Sequence, residues 1–521
     1  MSYPCLSFGT IFGSLFFVLL LASDTPQEAI LRIQQLIATE DLVNARDQLG
    51  KALNQHPGEG GLYNLLGIVD ARENRYPAAE RNFMKAVELT PQLTASYLNL
   101  GRLYTRNLNQ DTGGRGKAIT LYRRLLKLKP DLPEARYELA ALLQQDGAFR
   151  ESLAEIERLP MTERERSQAL AVRCADLIAL DRNEEATKTA DRFLRAAELS
   201  EAEGLFLAGV LQASKHDELA LKILESLAQR QLASLDGLYA LASAYERANQ
   251  LAGARASLET IARQKPDTVQ PLLDLARVAH KQGDYEGALG YLAHARALEP
   301  RNAAIHFFFG MVCIDLKLPI EAKASLGKAL DLDSENPYYN YAMGSVLLQW
   351  RNTGEAVPYF KKYAELKRGD PRGRFALGAA YFYSGEYDLA KIELRAIADL
   401  PETAVGAHYF LGRIAKQEDR LQDAAAQFEQ ALRSNPNQPE VLAESALVHI
   451  RQEKFEEAAR ELRRAIEIDP DSFRANANLL ILYQKTKDPR AASQARRFEE
   501  MKKMRSEKED MLQRTIEIRP Y

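Results

Sequence analysis

Cysteine is scarce in this sequence of 521 residues: Cys5, Cys174 and Cys313 are the whole complement. Three thiols with no CxxC pair make no disulfide framework. Charge of one sign is also missing. The 69 Lys and Arg are interleaved with 72 Asp and Glu, for a formal charge of −3, so no basic stripe marks a nucleic-acid surface. No long stretch alternates apolar and polar residues, which excludes a sheet-rich fold. The seven histidines (His56, His216, His280, His294, His306, His408, His449) form no HExxH and no i,i+4 pair, and no Cys stands near one at ligand spacing. No GxSxG appears either. Metal, cofactor and catalytic chemistry are therefore not read from this chain, and it is expected not to be an enzyme.

Charge is absent from one whole segment, Met1 to Ser23, in which Ile11–Ala22 is a dense apolar run followed at once by a polar stretch. Residues 1–23 are expected to be a signal peptide, cut after Ala22 or Ser23, or an N-terminal membrane anchor. Either reading places the rest of the chain outside the cytoplasm or at a membrane.

What is abundant is Leu, Ala, Glu, Gln, Lys and Arg, the strong helix formers, in a chain too long for one core. Periodicity resolves that length. Pro57 and Pro91 lie 34 apart, as do Pro266 and Pro300, and Pro436 and Pro470. Pro130 to Pro266 is four such steps and Pro266 to Pro436 is five; only Pro91 to Pro130, at 39, breaks phase, so five residues are inserted there. Twelve positions before each real or virtual proline, from Ala45 to Ala492, thirteen of fourteen residues are alanine, with Ser152 the exception. Twenty-four before it the residue is again small (Gly67, Gly101, Ala140 and onward to Gly412 and Ala446), departing only at Ile33 and Leu480. Eight before it stands a large apolar residue, such as Phe83, Tyr122, Leu258 or Phe428, except at Ala190 and Arg496.

Three columns in one register describe a unit of two helices. Small residues let the pair approach, a large residue four positions after the alanine fills the gap, and proline separates one unit from the next. Cys174 and Cys313 fall at small or apolar helix positions and are expected to be buried free thiols. Between Leu142 and Leu232 no in-phase proline occurs, so helix boundaries there are open. Asn107–Lys117, which holds the insertion, ends in Gly-Lys like a phosphate-binding loop. It has Asp111 where that loop needs glycine and Ala118 where it needs Ser or Thr, so an elongated turn between paired helices is expected.

Tyr63, Leu66, Gly67, Ala79, Phe83, Ala86 and Pro91 in the second unit, and Leu238, Leu241, Ala242, Tyr245, Ala254, Leu258, Ile261 and Pro266 in the seventh, resemble the signature of the tetratricopeptide repeat family. The resemblance implies an all-α superhelical solenoid, right-handed, of about thirteen helix-turn-helix repeats over residues 24–504. A C-terminal capping helix would carry Arg496 and Glu499 into water, and residues 505–521 would be a polar tail. It also implies that first helices line a groove through positions 2, 5, 9 and 12 or 13. On that register Phe307, Tyr338, Tyr341, Phe375, Phe382, Tyr383 and Tyr409 are the candidate protein-binding residues, since large rigid rings anchor peptides. Repeats 7 and 8 offer mostly polar residues there, among them Asp236, Gln270, Arg277 and His280. Some family members clamp a partner's C-terminal carboxylate. At the matching early positions this chain has Asn64, Asn99, Glu134 and Glu138, and the glutamates would repel it. The expected function is a scaffold or adaptor holding a protein or peptide partner. The alternative is an accessory or regulatory subunit of an envelope assembly or polysaccharide export machinery.

Overall fold

In the computed structural model the described residues are 25–106, 113–350 and 352–514, with side chains described as far as Arg505. Residues 1–24, which include the expected leader, the Asn107–Thr112 part of the glycine-rich segment, Arg351 and the end of the tail lie outside them. Among the described residues there are 29 helices and no strand. No helix among them is long and apolar enough to cross a membrane.

The period read from proline is the period of helix starts. First helices begin at Pro26, Gly60 and Thr94, then, after the insertion, at Pro133, Ser167, Glu201, Leu235, Val269, Ala303, Pro337, Pro371, Ala404, Pro439 and Phe473. Proline is suited to such starts because its fixed φ is helical and its missing N–H is not needed in the first turn. At three of these starts the preceding side chain caps: Asn302, Asn336 and Asp370 each accept a backbone N–H two residues on. Each in-phase proline lies two residues beyond the end of a second helix, as Pro436 does after Leu421–Ser434.

The turn inside each pair follows the same period, which the residue types did not announce. Glu40, Asn74, Asp181, Lys215, Asn249, Lys317, Asp419, Glu453 and Lys487 all have φ between 54° and 63°, and Gly147, Gly283 and Gly385 occupy the same column. A left-handed residue after the first helix reverses the chain into the second.

The three columns meet as expected. Ala45, Ala79, Ala118, Ala254, Ala322 and Ala424 are fully buried. A Cβ on Gly67, Gly344 or Gly412 would strike the ring of Phe83, Phe360 or Phe428 of the same repeat at 2.6, 2.8 and 2.6 Å. All four aromatic fillers, Tyr122 included, stand opposite glycine, and so do Leu326 and Leu394, whereas Ile156, Leu224, Leu292 and Leu462 stand opposite alanine. A ring is thus accommodated only where the facing residue has no side chain.

The chain divides into two compact units between Ala248 and Asn249. That boundary falls inside the seventh repeat, whose first helix, Leu235–Arg247, closes one unit and whose second, Leu251–Gln264, opens the other. In the first unit the irregular stretch is explained by a second helix of only nine residues, Phe149–Glu157, followed by Pro160 and a single turn, Met161–Arg164. Ser152 takes the alanine site fully buried, its Oγ donating to the Ala140 carbonyl at 2.8 Å. Cys174 is buried and free, as is Cys313 in the second unit.

The second unit ends in Phe473–Lys485 and a long helix, Ala491–Arg514. Arg496 and Glu499 are exposed, as a cap requires, but so is Ala492. Gln494 and Met501 are buried instead, and Phe473 stacks on Phe498 at 4.7 Å, so the last helix is rotated out of the repeat register. The expected tail begins inside this helix.

Candidate functional site

Three of the seven candidate aromatics do not share a site with the rest. Phe307 lies half-buried on Ala303–Asp315 against Tyr339, ring centroids 4.8 Å apart. Tyr338, near the start of Pro337–Gln349, is 52% exposed with Lys367 over its ring at 5.2 Å. Tyr341 turns inward and packs on Phe360 and Tyr363 of its own second helix, at 5.6 and 4.9 Å.

The other four converge. Phe375, Phe382 and Tyr383 on Pro371–Tyr383, and Tyr409 on Ala404–Gln417, all surround Phe410 with centroids 5.3 to 5.9 Å away. Most of these contacts are edge-to-face, the arrangement the ring quadrupole favours. The hub Phe410 was absent from the candidate set because its helix position is one that normally packs between neighbours. Phe382, expected as an exposed anchor, is 6% exposed and therefore a core residue. Its position faces the next first helix as much as the open face. Tyr341 and Tyr409 are likewise drawn against the large filler of their own hairpin, Phe360 and Phe428. Tyr383, at 52%, is the member of this cluster that presents its ring outward.

One side chain closes the cluster. The Arg413 guanidinium lies 4.5 Å from the Phe382 centroid and 5.5, 5.7 and 5.8 Å from those of Tyr409, Tyr383 and Phe410. A cation over ring faces is attracted by their quadrupoles, more strongly when water is thinned out. Arg413 also approaches Glu444 on Pro439–Arg451, at 3.9 Å. Glu444 is fully buried and pairs in addition with Lys416 of Ala404–Gln417 and Arg474 of Phe473–Lys485. Burial and the nearby Arg413, Arg474 and Arg451 push the Lys416 ammonium down to about 8. This charged rung went unread in the sequence. Its signal is a glutamate followed 30 positions later, and preceded by 28 and 31, by cations, just short of one period.

Elsewhere the groove positions carry paired polar side chains. His280 meets Asp315 at 2.7 Å, and Arg277 meets Asp274 at 3.0 Å. In the first unit Asn99 donates to Asn64 at 3.1 Å, and Glu134 pairs with Arg102 at 2.6 Å. Among the described residues no three His, Cys, Asp or Glu side chains gather as metal ligands. Gly113 to Lys117 form the first turn of Gly113–Leu128, a second helix.

Three family models described as tetratricopeptide repeats match this chain, the first over residues 239–304, 375–439 and 411–473, the others over 279–346 and 337–370. Among curated relatives, the TPR repeat-containing protein YpiA of Bacillus subtilis is 23% identical over 244 residues, 45% of this chain and 56% of that one. Protein bimA of Emericella nidulans is 24% identical over 171 residues, 33% of this chain and 21% of that one. The chain thus spans about a fifth and just over half of the lengths of these two relatives. Among solved structures, a tetratricopeptide repeat protein from Parabacteroides merdae covers 48% of this chain with 98% of its own, at 17% identity and a TM-score of 0.42.

Proposed function

We propose, from the premise that the chain belongs to the tetratricopeptide repeat family, that it holds a partner protein's extended segment along the first helices of its second unit. A protein-interaction scaffold is the role the repeats support. The observation that carries the finer reading is the Phe375–Phe382–Tyr383–Tyr409–Phe410 cluster. A rigid aromatic floor with one outward ring offers large contact area at little entropic cost. The chain acts by binding and has no reaction of its own. In keeping with that, burial pushes the Cys174 and Cys313 thiols up to about 12, which leaves them poor nucleophiles.

A photo-crosslinking residue placed at Tyr383 should capture a discrete partner, while the same residue at Ile392, exposed on the outer helix Tyr387–Arg395, should not. Equal capture at both positions, or capture at Ile392 alone, overturns this reading.

A second reading concerns place. The apolar run Ile11–Ala22 favours export or membrane attachment, and with it an accessory role in an envelope assembly or polysaccharide export machinery. Cell fractionation with N-terminal sequencing tests it: an intact Met1 in the cytosol would remove its support.

A further inference from the structure

The groove reading above says where a segment lies; the charges beside the aromatic cluster say what that segment carries. Glu444 is fully buried, and three cations, Arg413, Lys416 and Arg474, share its single carboxylate. Among the described residues no other buried carboxylate pairs with more than two cations. Glu155 takes Arg136 and the exposed Arg158, and Asp70 with Glu73 takes Arg75 and, from the preceding repeat, Arg46. Around Glu444 the count is three against one. Arg451 adds a fourth cation nearby, engaged by Asp419 on its outer side. Glu440, one turn earlier on the same helix, makes none of these ion pairs.

The surplus shows in the field. Lys416 touches a carboxylate, yet its proton is held less tightly than usual, because burial and then the nearby Arg413, Arg474 and Arg451 disfavour its charge. A positive potential that survives its own counter-ion favours a second anion, and more so where water is thinned out. Arg474 is 44% exposed and Tyr383 is 52% exposed, so one arm of the cationic rung and one ring of the aromatic floor are open to a ligand.

We infer that the partner segment is acidic, with an anionic group meeting Arg474 beside Lys416 and Arg413 and a neighbouring apolar side chain lying on Tyr383. This rests on the groove reading and narrows it to one chemistry. The anion is a carboxylate, either of Asp or Glu within the segment or of its chain end. The rung differs from a clamp on Asn64 and Asn99: it lies in the second unit and is assembled around the protein's own glutamate.

The test uses the full chain and fluorescein-labelled synthetic peptides of alternating glutamate and leucine, read by anisotropy. Controls replace glutamate by lysine, and each peptide is made with a free and an amidated C-terminus. The glutamate peptide should bind, weaken on adding salt and lose about tenfold in affinity on Arg474→Gln, with Arg474→Lys retaining part of it. The lysine peptide should not bind. Loss on amidation assigns the anion to the chain end; indifference to amidation assigns it to side chains. Arg474 is half-exposed, so both variants should keep the wild-type circular dichroism. If glutamate and lysine peptides bind alike and both are weakened by Tyr383→Ala, the acidic assignment falls and the groove reading stands. Failure of the glutamate peptide to bind, or tighter binding of a single-stranded oligonucleotide than of that peptide, also overturns the assignment.

Discussion

Gly412 and Phe428 face each other across one hairpin so closely that a Cβ on the glycine would lie 2.6 Å from the ring, which is itself fully buried. The ring cannot retreat, because it sits at the centre of the packed pair. Gly412→Ala should therefore destabilise the twelfth repeat by about 1–3 kcal/mol, the usual cost of overpacking. Phe428→Leu, which recreates the alanine–leucine pairing of Ala446 and Leu462, should recover most of it in the double variant. Native-state hydrogen exchange in Ala404–Gln417 reads the local opening energy directly. Additive losses, with no rescue, would show that the two residues are uncoupled.

Asp176 on Ser167–Ala179 is fully buried and neither carboxylate oxygen has a hydrogen-bond partner. Ser152 Oγ, which would favour the charged form if it turned to the carboxylate, donates to Ala140 instead. Desolvation raises the acid to about 7. A carboxyl whose folded pKa exceeds its unfolded one stabilises while protonated. Its contribution, up to about 4 kcal/mol, is complete below pH 4 and is lost as pH rises through 7. The first unit should thus melt at a lower temperature at pH 8 than at pH 5, and Asp176→Asn should flatten the difference. An unchanged pH profile in the Asn variant would refute the assignment.

Lys317 and Glu453 hold φ at 58° and 61°. Side chains other than glycine, Asn and Asp resist this region by about 1–2 kcal/mol. Lys317→Gly and Glu453→Gly should each raise stability by roughly 0.5–1 kcal/mol after the added chain entropy is discounted. The same change at Ala45, in a helix interior, should lower stability. Urea midpoints measure all three.

Exposure separates the aromatic candidates. Tyr383→Ala should leave stability nearly unchanged and weaken partner binding, whereas Phe382→Ala should cost about 3–5 kcal/mol by opening a cavity under Arg413. Tyr341→Ala should also destabilise, through lost packing on Phe360 and Tyr363. Thermal melts beside a binding titration distinguish the classes.

Steric columns were legible in the sequence because only small residues fit between closely packed helices. Ala254 or Gly344 therefore announces its environment by its size. The left-handed column was hidden, since glycine holds only three of its places and Glu or Lys, whose chemistry marks no turn, hold five. Groove membership was only half legible. The register puts Tyr341, Phe382 and Tyr383 on the first helix, but a large ring at such a position can fold back onto its own hairpin or slip between neighbours. That choice depends on the volume left by Phe360 or Phe410 about one helix away. The Glu444 rung was hidden for another reason: its members come from three helices, and no local motif joins them.

Because each aromatic filler is matched to the glycine of its own hairpin, a whole repeat is the natural unit of exchange. Duplication or grafting by complete 34-residue cassettes preserves every wedge, while a crossover in the turn between the two helices can mate a ring such as Phe428 with an alanine such as Ala446. Recombination and design alike should respect that seam.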